Sequence, residues 1–247
     1  MDRALYIAMT GAKHNTLAQA AHSNNLANSD TTGFRSDFAQ ARAMPVFGEH
    51  YPSRVYSMTE RPATDFNDGP MISTERDLDV AIAGDGFLSV VDQEGNEAYT
   101  RRGDLLVTPA GELLNGDGLP VVGEGGPIVL PEFERISFGE DGTIYIRPIG
   151  AAGDEILVVD NLKLVNPDLQ NMEKGTDGLF RPFEGDEVLP LDPLVRVLSG
   201  YREGSNVSAV NELMNILSLS RQFEMQIKMM KSSERMSEAS ASILQVT

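Results

Sequence analysis

All 13 prolines lie between Pro45 and Pro193, and neither glycine nor proline occurs from Ser205 to Thr247. Proline removes a helical donor, and glycine costs roughly 1 kcal/mol in a helix interior, so this distribution confines long helices to the two ends of the chain. Charge divides in the same way. Residues 1–44 carry 4 basic and 3 acidic side chains, residues 201–247 carry 5 and 5, and residues 45–200 carry 11 and 29. The net charge of −17 therefore resides in the middle. With 41% hydrophobic and 23% charged residues in 247, the composition is that of a globular chain able to bury a core.

The ends carry helical periodicity. Ala209, Leu213, Ile216, Ser220, Phe223, Ile227 and Met230 recur at alternating intervals of four and three, with Val210, Met214 and Leu217 as a second row. A helix from Ser208 to Leu244 would be about 55 Å long at 1.5 Å per residue and would need a partner. Leu5, Met9, Ala12, Thr16, Gln19, Ser23 and Leu26 repeat the spacing near the other end. The middle reads as short strands, such as 78–83, 86–91, 97–100, 105–108, 144–146 and 156–159, separated by Gly-Asn and Asp-Gly turn signals. The expected fold is α+β, with long N- and C-terminal helices forming a coiled-coil hairpin and a central all-β domain. The expected divisions are 1–44, 45–200 and 201–247. Tyr51-Pro52 and Arg61-Pro62 suggest extended chain between helix and domain.

Chemistry has little to stand on. There is no cysteine, which removes disulfides, thiolate metal sites and cysteine nucleophiles. His14, His22 and His50 are the only histidines, and no carboxylate completes a metal site around them. Asp65-Phe66-Asn67-Asp68-Gly69 starts like a calcium loop, but its twelfth position is Arg76 rather than Glu. The glycine clusters lack the helix that a phosphate cradle requires. Asp77, Asp79, Asp85 and Asp104 leave open an acidic glycan-binding or glycosidase-like β domain with a helical dimerisation arm. No catalytic residue, metal or cofactor is expected. The acidic surface argues against nucleic acid and anionic lipid as partners. No apolar run reaches membrane-span length, and the first residues lack the apolar core of a cleaved signal peptide. The positive signal is at the ends. Met214, Met225, Met229, Met230 and Met236 crowd into the last helix, and its apolar residues lie on more than one flank, as for a helix that packs on other subunits.

Particular residues carry a resemblance. Ser23-Asn24-Asn25-Leu26-Ala27-Asn28 followed by Thr31-Thr32-Gly33-Phe34-Arg35 resembles the N-terminal signature of the bacterial flagellar rod and hook proteins. Gly204-Ser205-Asn206-Val207, Glu212-Leu213-Met214 and Arg221-Gln222-Phe223-Glu224 resemble their C-terminal signature. Gly84-Asp85-Gly86-Phe87 and Tyr99-Thr100-Arg101-Arg102-Gly103 resemble the family's β-rich core. Thr32 stands where proline is frequent, and Arg35 where lysine is usual. Within the family, Met1-Asp2-Arg3-Ala4-Leu5-Tyr6, Arg42-Ala43-Met44-Pro45-Val46 and Lys163-Leu164-Val165-Asn166-Pro167 resemble the F-type proximal-rod branch. The distal-rod branch shares both end signatures.

The resemblance implies a non-catalytic rod subunit of the flagellar basal body, spanning the periplasm and sent out by the flagellar type III export apparatus without a cleaved signal. Its implied partners are copies of itself and the other proximal and distal rod proteins. The implied assembly residues are Leu5, Met9, Asn24, Asn25, Leu26, Ala27, Asn28, Gly33, Phe34, Asn206, Val207, Leu213, Met214, Leu217, Phe223, Ile227 and Met230. Of these, Asn25 to Asn28 are expected to end the first helix, and Gly33 to permit the turn before Phe34. Seams containing Thr16, Gln19, Ser23 and Ser220 bury little apolar surface, so the helices of the free chain are expected to be largely unformed until assembly.

Overall fold

The computed structural model describes residues 2–38, 41–46, 54–59, 63–150, 155–183 and 188–245. Tyr51-Pro52 and Arg61-Pro62 lie outside them. The chain forms two compact units. One comprises 1–29, 36–65 and 207–247, the other 30–35 and 66–206.

The first unit is built on helix α1 (Asp2–Ala27) and helix α2 (Ala209–Gln245), which pack against each other. His22 Nδ1 on α1 meets Glu212 Oε2 on α2 at 2.5 Å. Ala8 and Ala12 are buried, and a Cβ added to Gly11 would lie 2.7 Å from Gln226 Nε2. The helices thus approach through small residues of α1. The same unit holds the antiparallel pair Ala41–Val46 and Arg54–Thr59, whose backbone register sets position 44 opposite position 56, and the short pair Asp37–Phe38 and Ala63–Thr64.

These observations correct the expected fold. The structure has a shorter N-terminal helix of 26 residues, a C-terminal helix of 37 and a central β-rich region. It does not have two long helices in a coiled-coil hairpin. Leu5, Met9, Leu213 and Phe223, expected as seam knobs, are exposed. A heptad repeat must stay in one row to make knobs-into-holes packing. In α1 the repeat is split: Ala12 turns inward beside Ala8, which lies outside the expected row, because small side chains let two backbones come close. The larger side chains are left outside.

The second unit is antiparallel β. Its largest sheet runs Leu164–Val165, Phe87–Val91, Glu97–Thr100, Phe180–Pro182 and Met172–Lys174, with Leu88 opposite Thr100 and Phe180 opposite Tyr99. Alternation along Phe87–Val91 sends Leu88 and Val90 into a cluster with Ile82, Leu105, Leu113, Ile144 and Leu162. Phe87 joins a second cluster with Tyr99, Val165, Met172 and Phe180. This sheet is therefore buried on both faces, and its strands read as apolar runs. Burial pushes the Tyr99 phenol up to about 12, and its oxygen accepts the Leu189 N–H at 2.9 Å. A three-stranded meander, Phe133–Phe138, Thr143–Pro148 and Leu157–Asn161, contributes Ile136, Ile144 and Ile146 to the first cluster. Strand Arg196–Ser199 pairs with Val80–Ala83, and Tyr201–Glu203 pairs with Met71–Ser73.

Candidate assembly surface

α1 ends at Ala27, and Asn28 caps it, its side-chain amide donating to the Asn24 carbonyl at 2.9 Å. Asn24 and Ala27 are exposed and Leu26 half-buried. Asn25 is buried, and its amide closes a two-way clip on the Asp37 peptide: Nδ2 donates to the Asp37 carbonyl and Oδ1 accepts the Asp37 N–H, each at 2.9 Å. The asparagine run is therefore a helix stop with an internal strap, two roles that need hydrogen-bonding side chains of short reach.

Residues 30–35 belong to the β unit. Gly33 has φ of 68°, its N–H donates to the Glu203 carbonyl at 2.8 Å, and an added Cβ would lie 2.4 Å from the Arg101 carbonyl carbon. Both the dihedral and the close approach demand glycine. The Lys174 ammonium sits 3.9 Å from the centre of the Phe34 ring and donates to the Arg35 carbonyl at 2.7 Å. Asn206 N–H donates to the Phe34 carbonyl at 3.2 Å, and its side chain donates to the Asn67 carbonyl at 3.1 Å. The N-terminal and C-terminal signatures thus meet here, backbone to backbone.

Four residues absent from the expected site hold this meeting point together. Arg35 is 1% exposed and Glu203 is 0% exposed. Arg35 Nη1 lies 2.7 Å from Glu203 Oε1, and Arg35 Nη2 lies 2.8 Å from Asp68 Oδ1. Arg101 Nη1 donates to Glu203 Oε2 at 3.2 Å, and Gly69 N–H donates to Glu203 Oε1 at 3.0 Å. Arg35 also donates to the Asn67 carbonyl. Burial lowers the Arg101 guanidinium from its ordinary value while Glu203 holds it up, and nearby Arg35 adds to the lowering. Two buried arginines around one buried carboxylate need every hydrogen bond they make. The sequence signal was limited to Arg35 and Arg101 lying in recognisable motifs; Glu203 had none.

The helices carry the remaining expected residues. Val210, Leu213, Met214 and Leu217 are 49% to 66% exposed on the first turns of α2. Phe223 is exposed; Ile227, Met230 and Val207 are half-buried. Leu5, Ile227 and Met230 line one groove of about 380 Å³ together with Ser233 and Ser237. Tyr6, Ile7, Met9 and Leu17 add exposed apolar surface on α1. Large exposed apolar patches of this kind are common where proteins meet partners.

Three of the four aspartates of the glycan-binding alternative are paired with arginines. Asp79 pairs with Arg76 at 3.2 Å, Asp104 with Arg102 at 2.8 Å and Asp77 with Arg135 at 3.6 Å. Among the described residues no group of three His, Asp or Glu side chains is arranged to hold a metal.

Comparison with known proteins agrees with the geometry. Three family models match: "Flagella basal body rod protein" over residues 5–35, "Flagellar hook protein FlgE/F/G D1 domain" over 81–146, and "Flagellar basal body rod FlgEFG protein C-terminal" over 198–243. The chain is 40% identical over 237 residues to the flagellar basal-body rod protein FlgF of Escherichia coli K12, covering 94% of each chain. It is 40% identical to FlgF of Salmonella typhimurium LT2 over the same 94% of each chain. It is 32% identical to FlgF of Caulobacter vibrioides over 96% of each. With likeness running through nearly the whole length, the chain belongs to the flagellar basal-body rod protein family, as a structural subunit of the rod and not an enzyme.

Proposed function

We propose that this chain is a proximal-rod subunit of the F type that adds to its neighbours through the exposed apolar flanks of α1 and α2. The observation that carries this reading is the row Val210, Leu213, Met214 and Leu217, which the chain leaves uncovered. Its partners are copies of itself and the other proximal and distal rod proteins. Leu5, Met9, Phe223, Ile227 and Met230 extend the contact surface. The turn Asn24 to Phe34, together with Asn206 and Val207, sets where the chain passes between helix and β unit. The β unit faces outward from the rod, and the excess of 29 acidic over 11 basic residues across 45–200 keeps the subunit soluble. The subunit reaches the periplasm-spanning rod through the flagellar type III export apparatus. Contact with nucleic acid or a lipid bilayer plays no part.

Replacing Leu213 or Leu217 by Asp tests this directly, because both side chains are exposed and the fold does not need them. The variants are expected to accumulate as folded chain, yet to be missing from purified basal bodies and to abolish swimming. Normal incorporation of both would refute the helical surface as the route of assembly.

A further inference from the structure

Four of the 11 methionines, Met214, Met225, Met229 and Met236, are each 55% to 61% exposed on α2. At about 100° per residue they fall within an arc of roughly 60°. That arc is turned about 120° from the side carrying Glu212 and Gln226, the residues that meet α1. Met230, one position from Met229, is half-buried, and Met172 lies in the β core at 6% exposure. The chain therefore presents a thioether stripe to solvent along most of α2, while Met172 is withdrawn into the β core; Met9 on α1 and Met71, at 51% and 39%, are exposed outside the stripe.

Thioether sulfur is nucleophilic toward peroxides, and its susceptibility follows exposure. We propose that Met214, Met225, Met229 and Met236 form a peroxide-reactive stripe whose conversion to sulfoxide prevents the subunit from joining the rod. Each sulfur attacks one peroxide oxygen and loses two electrons. The O–O bond breaks, one oxygen stays on sulfur, and the other leaves as water after taking up the protons. The product is a polar, chiral S=O group where the flank was apolar and pliable, and it must be desolvated if a neighbouring subunit is to cover it. Burial in the assembled rod in turn shields the same sulfurs, so sensitivity belongs to the unassembled chain. The second half of this proposal rests on assembly through α2.

The test has two arms. The purified full-length chain is exposed to limiting hydrogen peroxide, and sulfoxide is read peptide by peptide by mass spectrometry. The four stripe methionines are expected to oxidise about tenfold faster than Met172; equal rates would overturn the stripe. In cells, a quadruple Met→Gln chain, which places a permanent polar amide at each position, is expected to lose swimming at least tenfold, while the quadruple Met→Leu chain swims. Gln and Leu are both good helix formers, so α2 itself is not broken. Normal swimming of the Gln chain would overturn the block on assembly. If in that case Leu217→Asp still abolishes incorporation, assembly through α2 stands and only the oxidation proposal falls.

Discussion

Glu203 is the residue on which the two ends of the chain converge. Its carboxylate is fully buried, faces Arg35 and Arg101, and accepts the Gly69 N–H. Removing one partner of a buried charge network leaves the others uncompensated and typically costs about 3–5 kcal/mol. Glu203→Gln keeps the shape and removes the charge; half-exposed Asp68 offsets only part of the loss. The expected result is a β unit destabilised by about 3 kcal/mol, read as a drop in the urea midpoint. A triple change to apolar residues at positions 35, 101 and 203 should recover part of it, since a well-packed apolar replacement of buried ions is often near neutral. At this scale the sequence was legible where a residue type answers a local demand. Gly33 was readable because a turn needs positive φ, and Asn28 because it caps. The Arg35–Glu203 contact was not, because it joins residues from opposite ends of the chain and no local pattern encodes it.

α2 has 37 residues, and among those described only Ser233 is buried. A helix with so little buried surface draws its stability from its contact with α1 and from propensity, both modest. Amides of α1 and α2 are therefore expected to exchange with deuterium at least roughly 100-fold faster than those of Phe87–Val91 and Glu97–Thr100, which lie in a sheet buried on both faces. Hydrogen exchange with mass spectrometry on the free chain measures this, and comparable protection would mean that the helix pair is stable without neighbours. The existence of both helices was plain from their periodicity and the absence of proline, and for α2 from the absence of glycine as well. Which face of α1 turns inward was not. Spacings of three and four put Leu5, Met9 and Ala12 in one row, and only the close approach of the helices, at Gly11 against Gln226, buries Ala12 with Ala8 and leaves Leu5 and Met9 outside.

For the molecule as a whole, 37 acidic against 20 basic residues means net self-repulsion. Salt screens exposed charges over a Debye length of about 8 Å at 0.15 M, and buried pairs such as Arg35–Glu203 much less. Raising NaCl from about 0.02 to about 0.3 M should thus raise the melting temperature by a few degrees, on the order of 1 kcal/mol of relieved repulsion. Calorimetry at the two salt concentrations checks it, and a fall would mean that attractive surface pairs dominate. Local order along the chain is enough to say where helices can form, where strands must be short, where the charge sits and which family the signatures resemble. Those follow from the covalent character of glycine and proline and from side-chain types in local order. It takes the folded chain to show that 36–65 group with the helices, that small residues make the helix contact and that Arg35, Arg101 and Glu203 close one buried network. Those depend on which distant segments come together, and burial, which gives a charge or a small side chain its weight, is a property of that encounter.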